Sequence, residues 1–194
     1  MIKAIIINDT TLNKHHGCEL LMSEIDRLCE KNKITIVERC YHTSSFNLNK
    51  KKILNSDFDL VLVNGEGSLH HNQKVAHDIL NTVEMIKRNY RVPLVLFNSL
   101  IYKLNKKLIS KLKYFDKIFV RDTLSHKELA KYNIKSIVVP DLLFNYKIKK
   151  IFEKNVIVTD GHKNKKISKK LISLAEKHKA IFLPIKTNIK IIIK

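Results

Sequence analysis

The densest group of residues that could carry out chemistry is the segment 64–72, which reads Asn-Gly-Glu-Gly-Ser-Leu-His-His-Asn. Two glycines, a hydroxyl, two imidazoles and an amide predict a polar turn that holds a phosphate group or sugar hydroxyls. The Gly-Lys-Ser/Thr ending of a Walker A loop is missing, and a histidine replaces the last glycine of a dinucleotide-binding loop. The residues assigned here to substrate binding are Gly65, Glu66, Gly67 and Ser68.

Two histidines of this segment, His70 and His71, are adjacent in the sequence. Adjacent side chains point in different directions on a regular element, so this pair is not expected to bind one metal ion together. The sequence therefore predicts no metal site. Glu66 has two interpretations, a general base or a carboxylate that accepts hydrogen bonds in a turn.

A second polar segment, 8–19, follows the apolar run at the amino terminus. Asn8 and Gly17 in this segment are assigned to substrate binding, because backbone N–H groups can approach an anion closely at a glycine. Glu19 suits the first turn of the following helix, where its charge favours the helix dipole. Cys18 is expected to be a small buried residue, with a catalytic thiolate as the alternative.

Arg121 is one of only five arginines in a chain with 37 basic residues, and it ends a predicted strand. Its guanidinium offers a fork for a carboxylate or phosphate group, and the structural alternative is a salt bridge to Asp122 or Asp141. Asp122 can also cap the helix that follows it. Three residues near Arg121 are assigned to substrate binding, namely Asp122, Ser125 and Asp141.

Apolar, β-branched runs alternate with amphipathic segments along most of the chain. The predicted strands are 2–7, 34–37, 59–65, 92–98, 117–122 and 136–141, the predicted helices are 17–31, 73–90, 104–114 and 123–132, and 45–56 is a short helix or loop. This alternation predicts an α/β fold, a Rossmann-like, mainly parallel sheet with helices on both faces. Because the carboxyl ends of parallel strands meet at one edge, the candidate side chains should converge there.

Two domains are predicted, an amino-terminal Rossmann-like domain at 1–147 and a partial carboxy-terminal Rossmann-like unit at 148–194. The second unit contains a strand and loop at 156–162, a helix at 166–178 and a strand at 180–185. One strand–helix–strand unit cannot bury both faces of a sheet. These strands therefore either extend the first sheet or belong to a domain that is cut short.

The composition is that of a globular protein, with 44% hydrophobic and 28% charged residues among 194. It excludes fibrous and disordered classes, and no apolar run of about 18 residues predicts a membrane span. The opening MIKAIIINDT is interpreted as a core strand and not as a signal peptide. Three cysteines without a Cys-x-x-Cys pair argue against a disulfide framework and a zinc knuckle, and favour the reducing cytoplasm.

The net charge of +19 comes almost entirely from lysine, and residues 145–194 alone carry 14 lysines against three acidic residues. Lysine, asparagine and isoleucine all have A/T-rich codons, which accounts for much of the excess. Arginine is the residue expected for bidentate contacts to phosphates and bases, so its scarcity argues against nucleic-acid binding. The alternative is a basic module that contacts RNA or an acidic membrane surface peripherally.

Four blocks, in order along residues 1–145, resemble the polysaccharide pyruvyl transferase family. They are His16-Gly17-Cys18-Glu19-Leu20, the run Asp59-Leu60-Val61-Leu62-Val63-Asn64-Gly65-Glu66-Gly67-Ser68-Leu69, the block Phe119-Val120-Arg121-Asp122-Thr123-Leu124-Ser125, and Val138-Val139-Pro140-Asp141. The resemblance differs from the family pattern at Cys18, where the family has aspartate, and at Glu66, which interrupts a glycine run.

The resemblance implies two Rossmann-like halves that face a cleft, as in GT-B glycosyltransferases. It implies transfer of the enolpyruvyl group of phosphoenolpyruvate to two hydroxyls of a sugar in a bacterial cell-surface polysaccharide precursor, without a cofactor. The products are a ketal and phosphate. Arg121 and the segment 65–68 are then contacts to phosphate, carboxylate or sugar. His70 and Arg121 become the catalytic residues, with His70 as the proton carrier that ketal formation needs.

Two alternatives to a pyruvyl transferase stay open. One is a GT-B-like glycosyltransferase, and the other is a non-catalytic remnant that binds a sugar or nucleotide. The chain is expected to stop about one strand–helix–strand unit into the second half of the family fold, which leaves open a fragment, a truncated reading frame or an inactive relative. The sequence predicts neither the acceptor sugar nor an oligomeric state.

Overall fold

A computed structural model describes residues 1–146, 157–159 and 164–183 of the chain. Six parallel strands form one sheet. They are β1 (Ile2–Asp9), β2 (Ile34–Tyr41), β3 (Leu60–His70), β4 (Leu94–Tyr102), β5 (Lys117–Val120) and β6 (Ile137–Val138). The helices between them are α1 (His16–Lys31), α2 (Phe46–Leu54), α3 (Lys74–Asn89), α4 (Lys106–Leu112) and α5 (Thr123–Ala130). Short 3-10 turns lie at Thr11–Asn13 and Leu142–Asn145.

The strand order across the sheet is β2-β1-β3-β4-β5-β6. The chain adds β2 on one side of β1 and then returns to add β3 on the other side. In open α/β sheets, ligands bind at such a switch point, in the crevice outside the carboxyl ends of the strands. The switch point of this sheet lies where β1 and β3 end.

The first strand is buried on both faces, as a parallel strand with helices on both sides should be. Ile5 and Ile7 pack into a core cluster that includes residues of α2, α3 and α4. Ile6, which points to the opposite face, packs with Met22 and Ile25 of α1. The predicted Rossmann-like α/β fold is confirmed, with a mainly parallel sheet and helices on both faces.

The predicted polar turn at 64–72 is wrong for most of its length, because β3 continues through it to His70. Glycine, asparagine and serine favour turns locally, but here the segment keeps a strand partner. Glu66 lies opposite Ser99 of β4, and after a register shift between Glu66 and Leu69, His70 lies opposite Tyr102. Pairing with a strand distant in sequence therefore overrides the local composition.

A second, two-stranded parallel sheet contains β7 (Ile157–Thr159) and β8 (Ile181–Leu183), with α6 (Lys165–Lys177) between them. Its strands do not extend the six-stranded sheet. The predicted domain boundary at 147–148 lies outside the described residues, as do Gly161 and the end of the chain from 184. None of the helices in the described ranges has the length and apolar character that crossing a membrane requires.

Candidate functional site

Asn8 joins the carboxyl ends of β1 and β3 at the switch point of the sheet. It is buried, and its amide Nδ2 donates to the carbonyl oxygen of Asn64 at 2.6 Å and to Oγ of Ser68 at 3.0 Å. Its backbone is left-handed, with φ of 64°, a conformation that asparagine adopts more readily than most residues. The structure thus brings together Asn8 and Ser68, two residues that the sequence assigns to substrate binding.

His42 completes this group from the neighbouring strand, because it directly follows the end of β2. Its ring nitrogen Nδ1 lies 2.7 Å from Oδ1 of Asn8, and its backbone N–H donates to the carbonyl oxygen of Asp9. Burial lowers the pKa of His42, and the nearby charge of Glu66 opposes that effect. The His42 imidazole is therefore neutral at physiological pH.

Glu66 and Cys18 meet where β3 passes the amino-terminal turn of α1. The Cys18 Sγ donates to Oε1 of Glu66 at 3.4 Å. Burial raises the pKa of Cys18 to about 11, and the Glu66 carboxylate adds to that shift. Cys18 is therefore a protonated, buried thiol, as expected from the sequence, and the thiolate alternative is disfavoured.

Several buried polar atoms at this edge of the sheet have no hydrogen-bond partner among the described residues. They are Oγ1 of Thr10, Nε2 of His16, Oδ1 of Asn64, Oε2 of Glu66 and Nδ2 of Asn98. Buried polar atoms are almost always paired, and leaving one unpaired costs about 1–3 kcal/mol. Five such atoms at one edge indicate a place where waters or the hydroxyls of a ligand complete the bonding.

The backbone is strained at the same edge. Asn8, Glu66 and Asn98, on the three adjacent strands β1, β3 and β4, have φ of 64°, 33° and 51°. Left-handed residues other than glycine cost on the order of 1–3 kcal/mol each, and they cluster at ligand sites. Glu66 is the least expected of the three, because a long side chain gains nothing locally from this conformation.

Arg121 and Asp141 form an ion pair at the carboxyl ends of β5 and β6. The guanidinium NH1 lies 2.6 Å from Oδ2 of Asp141, and both side chains are about a quarter exposed. The backbone N–H of Arg121 also donates to the carbonyl oxygen of Ser99, the residue opposite Glu66. Arg121 is thus on the same edge of the sheet as the Asn8 group, and it makes the salt bridge that the sequence offered as the alternative interpretation.

Asp122 and Ser125 bond to each other at the start of α5. The Asp122 carboxylate accepts from the backbone N–H of Ser125 at 2.7 Å and from its hydroxyl at 2.8 Å. The Ser125 Oγ in turn accepts from the backbone N–H of Ile101. The predicted helix cap is present, and these bonds give both residues a structural role. Their assignment to substrate stays a prediction.

Replacing Asp122 with alanine should lower the free energy of unfolding by about 1–2 kcal/mol, because α5 loses its cap and Ser125 loses its acceptor. Urea denaturation measures this change. Asp57→Ala is the matched control, since the Asp57 side chain is 86% exposed in a surface ion pair and should matter little. Equal stability of the two variants would contradict the capping role.

His70 lies at the carboxyl end of β3, apart from the bonds that organise the Asn8 group. Its Nδ1 lies 2.9 Å from Nδ1 of His71, and the amide of Gln73 is 3.4 Å away. Within the described part of the chain, no hydrogen bond joins His70 to Asn8 or Arg121. Its catalytic assignment stays a prediction.

The three glycines of the predicted site differ in what surrounds them. A Cβ at Gly65 would lie 2.1 Å from the Ser99 Cβ, so close strand packing requires glycine there. A Cβ at Gly67 would meet nothing within 4 Å, and one at Gly17 would touch the His15 ring at 3.3 Å. None of them has a positive φ. Close packing against β4 thus accounts for glycine at position 65. The assignment of the three glycines to substrate binding stays a prediction.

Three residues of this edge are absent from the site residues assigned from the sequence, namely His16, His42 and Asn98. The predicted strand 34–37 ended too early, whereas β2 runs to Tyr41 and places His42 directly at the ligand edge. A search for polar residues directly after strands would have found His42 and also Asn98, which ends the predicted strand 92–98.

The fold and this edge define a Rossmann-like α/β protein with a group of polar residues at its switch point. The polysaccharide pyruvyl transferase family matches residues 15–191, and the chain belongs to that family. The resemblance found in the four sequence blocks is thereby confirmed. No curated protein matches this chain at a significant level.

One similar solved structure is that of the RcsB response regulator of Salmonella typhimurium, studied for its conformational dynamism in DNA interaction. The two chains share 12% identity with a TM-score of 0.42. The match covers 70% of this chain and 62% of that chain, so this chain spans less than two thirds of that protein. A similarity this weak carries no argument about function.

Proposed function

We propose that the chain transfers a pyruvyl group from phosphoenolpyruvate to a sugar hydroxyl pair of a polysaccharide precursor. The observation that carries this proposal is the match of the pyruvyl transferase family to residues 15–191. The unpaired polar atoms at the switch point support it, since they offer hydrogen-bond donors and acceptors of the kind that sugar hydroxyls need.

The residues proposed to bind substrate come from the carboxyl ends of β1, β3 and β5. The buried pair Asn8 and Ser68, together with Glu66, faces the hydroxyls of the sugar. Arg121 meets the carboxylate or phosphate of the donor, because its planar guanidinium forms bidentate bonds with such groups. Its ion pair with Asp141 holds the guanidinium in place before the donor arrives.

Proton transfer is the second requirement of the reaction. Formation of the ketal adds a proton to the methylene carbon of the donor and removes one from each acceptor hydroxyl. We propose His70 as the acid that protonates the carbon. Its ring sits at the end of β3, two residues beyond Ser68.

The proposal is tested by measuring phosphate release from phosphoenolpyruvate in the presence of methyl glycosides of glucose, galactose and mannose. Release that depends on the glycoside, with a pyruvyl ketal found by mass spectrometry, supports it. Thermal stabilisation by phosphoenolpyruvate without any release would instead favour the non-catalytic remnant. Affinity for RNA that falls steeply with salt would favour the basic module.

A further inference from the structure

His42 is an imidazole at the switch point to which neither the family match nor the sequence motifs assign a role. It is half-buried, and it lies against the residue that ties β1 to β3. The orientation of the Asn8 amide determines which ring nitrogen of His42 carries the hydrogen. The tautomer of His42 therefore follows from its hydrogen bond to Asn8.

The orientation of the Asn8 amide follows from its partners. The carbonyl oxygen of Asn64 can only accept a hydrogen bond, so the atom of Asn8 that lies 2.6 Å from it must be the donor Nδ2. The other terminal atom of Asn8, which faces His42 at 2.7 Å, is therefore the acceptor Oδ1. An amide turned the other way would place two acceptors 2.6 Å apart.

Because Oδ1 of Asn8 can only accept, Nδ1 of His42 must carry a hydrogen. In a neutral imidazole the other nitrogen, Nε2, then has the free lone pair. In the described part of the chain, no hydrogen bond occupies Nε2. His42 thus presents a proton acceptor whose tautomer is fixed by its neighbour.

The charged groups around His42 leave the ring neutral. Glu66 of β3 raises the pKa of His42, but burial has the larger effect and lowers it. Asp9 at the end of β1 is paired with Arg39 of β2 at 2.7 Å, so its charge is compensated. Cys18 of α1 is a protonated thiol that donates to Glu66.

We propose that His42 is the catalytic base that takes the proton of the acceptor hydroxyl, and that Asn8 is its positioning residue. This inference rests on the proposed pyruvyl transfer. Nε2 of His42 accepts the hydroxyl proton while the hydroxyl oxygen forms a bond to C2 of the enolpyruvyl group. The double-bond electrons take a proton at C3 from the acid, which turns the methylene into a methyl group.

The second half of the reaction returns His42 and the acid to their starting protonation states. The second sugar hydroxyl forms its bond to C2 while the bond from C2 to the phosphate oxygen breaks, and phosphate leaves with the electron pair. The proton on Nε2 of His42 passes to the leaving phosphate. The proton of the second hydroxyl returns to the acid. One donor and two hydroxyls thus give one ketal and one phosphate.

The kinetic test is phosphate release by His42→Gln, with His126→Gln as the matched control. The Nδ1 of His126 also bonds a side-chain oxygen, that of Ser136, but the residue is exposed on α5. Loss of a catalytic base should lower kcat at least about 100-fold with little change in KM for phosphoenolpyruvate. The control should stay within about twofold of the unchanged chain, as is usual for an exposed site away from the chemistry. Unchanged kcat in His42→Gln would overturn the inference.

Asn8→Asp tests the positioning role by its effect on the pH profile. A carboxylate facing Nδ1–H favours the charged ring, so the acid limb of kcat/KM should move to higher pH. If activity falls but the acid limb of kcat/KM stays at the same pH, Asn8 only supports the fold, and its positioning role is overturned.

A measurement without substrate separates this inference from the proposed function. Long-range proton–nitrogen correlation spectra of the full chain report the tautomer and charge of each imidazole. His42 should be neutral with its hydrogen on Nδ1 at pH 7. A hydrogen on Nε2 alone, or a charged ring, would overturn the inference even if phosphate is released. Absence of release would count against the proposed function alone, and the spectrum would then decide the state of His42.

Discussion

Gly65→Ala should lower the free energy of unfolding by about 3 kcal/mol or more, the upper range for overpacking a core. The added Cβ would lie 2.1 Å from the Ser99 Cβ and 2.7 Å from its Cα. The second contact is with backbone, which cannot rotate away as a flexible side chain does. Relief therefore requires that β3 and β4 separate where Glu66 pairs with Ser99.

Urea denaturation followed by circular dichroism measures this loss. Gly67→Ala is the matched control, because its Cβ would meet nothing within 4 Å. Since its φ is not positive, that variant should be neutral or gain about 0.4–1 kcal/mol from reduced freedom of the unfolded chain. Ser99→Gly added to Gly65→Ala removes the Cβ contact and should restore part of the stability. Two alanine variants of equal stability would show that the strands are not in close contact there.

Arg121→Ala should lower phosphate release from phosphoenolpyruvate by at least about 100-fold, the loss typical of a group that binds developing charge. Arg121 lies at the ligand edge, and truncation removes its hydrogen-bond donors and leaves Asp141 without this ion pair. Arg121→Lys keeps the positive charge but cannot form the two parallel hydrogen bonds of a guanidinium. Its activity should therefore lie between that of Arg121→Ala and that of the unchanged chain.

The matched control for Arg121 is Arg88→Ala on α3. Arg88 also forms an ion pair at 2.6 Å, with Glu84, but its side chain is 71% exposed. It should keep activity within about twofold, as exposed pairs contribute little. Asp141→Asn removes the ion pair but keeps the Arg121 guanidinium. It therefore separates the effect of the ion pair from that of the contact between Arg121 and phosphoenolpyruvate. Release that survives in Arg121→Ala would remove Arg121 from the mechanism.

The fold could be predicted from the sequence because the spacing of apolar residues within each short segment clearly indicates a strand or a helix. Strands such as 2–7 and 92–98 are continuous β-branched or apolar runs, and α3 has one apolar face. What the sequence could not give was the extension of β3 to His70, since residues 64–70 have turn composition. Their strand conformation depends on pairing with β4, about thirty residues away in the sequence.

The position of the candidate residues in the fold was predictable, but their hydrogen bonds were not. The rule that parallel strands present their carboxyl ends at one edge placed Asn8, Ser68 and Arg121 correctly on that edge. It could not show that Asn8 orients His42, because the two residues are 34 positions apart and meet only through the strand order. It also could not show that Glu66 is strained and bonded to Cys18, which are properties of the packed structure.

Binding of phosphoenolpyruvate at the switch point can be followed through the backbone amide signals of the full chain as the ligand is added. The largest shifts should occur at Asn8, Glu66, Asn98 and Arg121, which lie at the carboxyl ends of adjacent strands. Shifts confined to the lysines of α6, or to the opposite edge of the sheet, would contradict binding at the switch point.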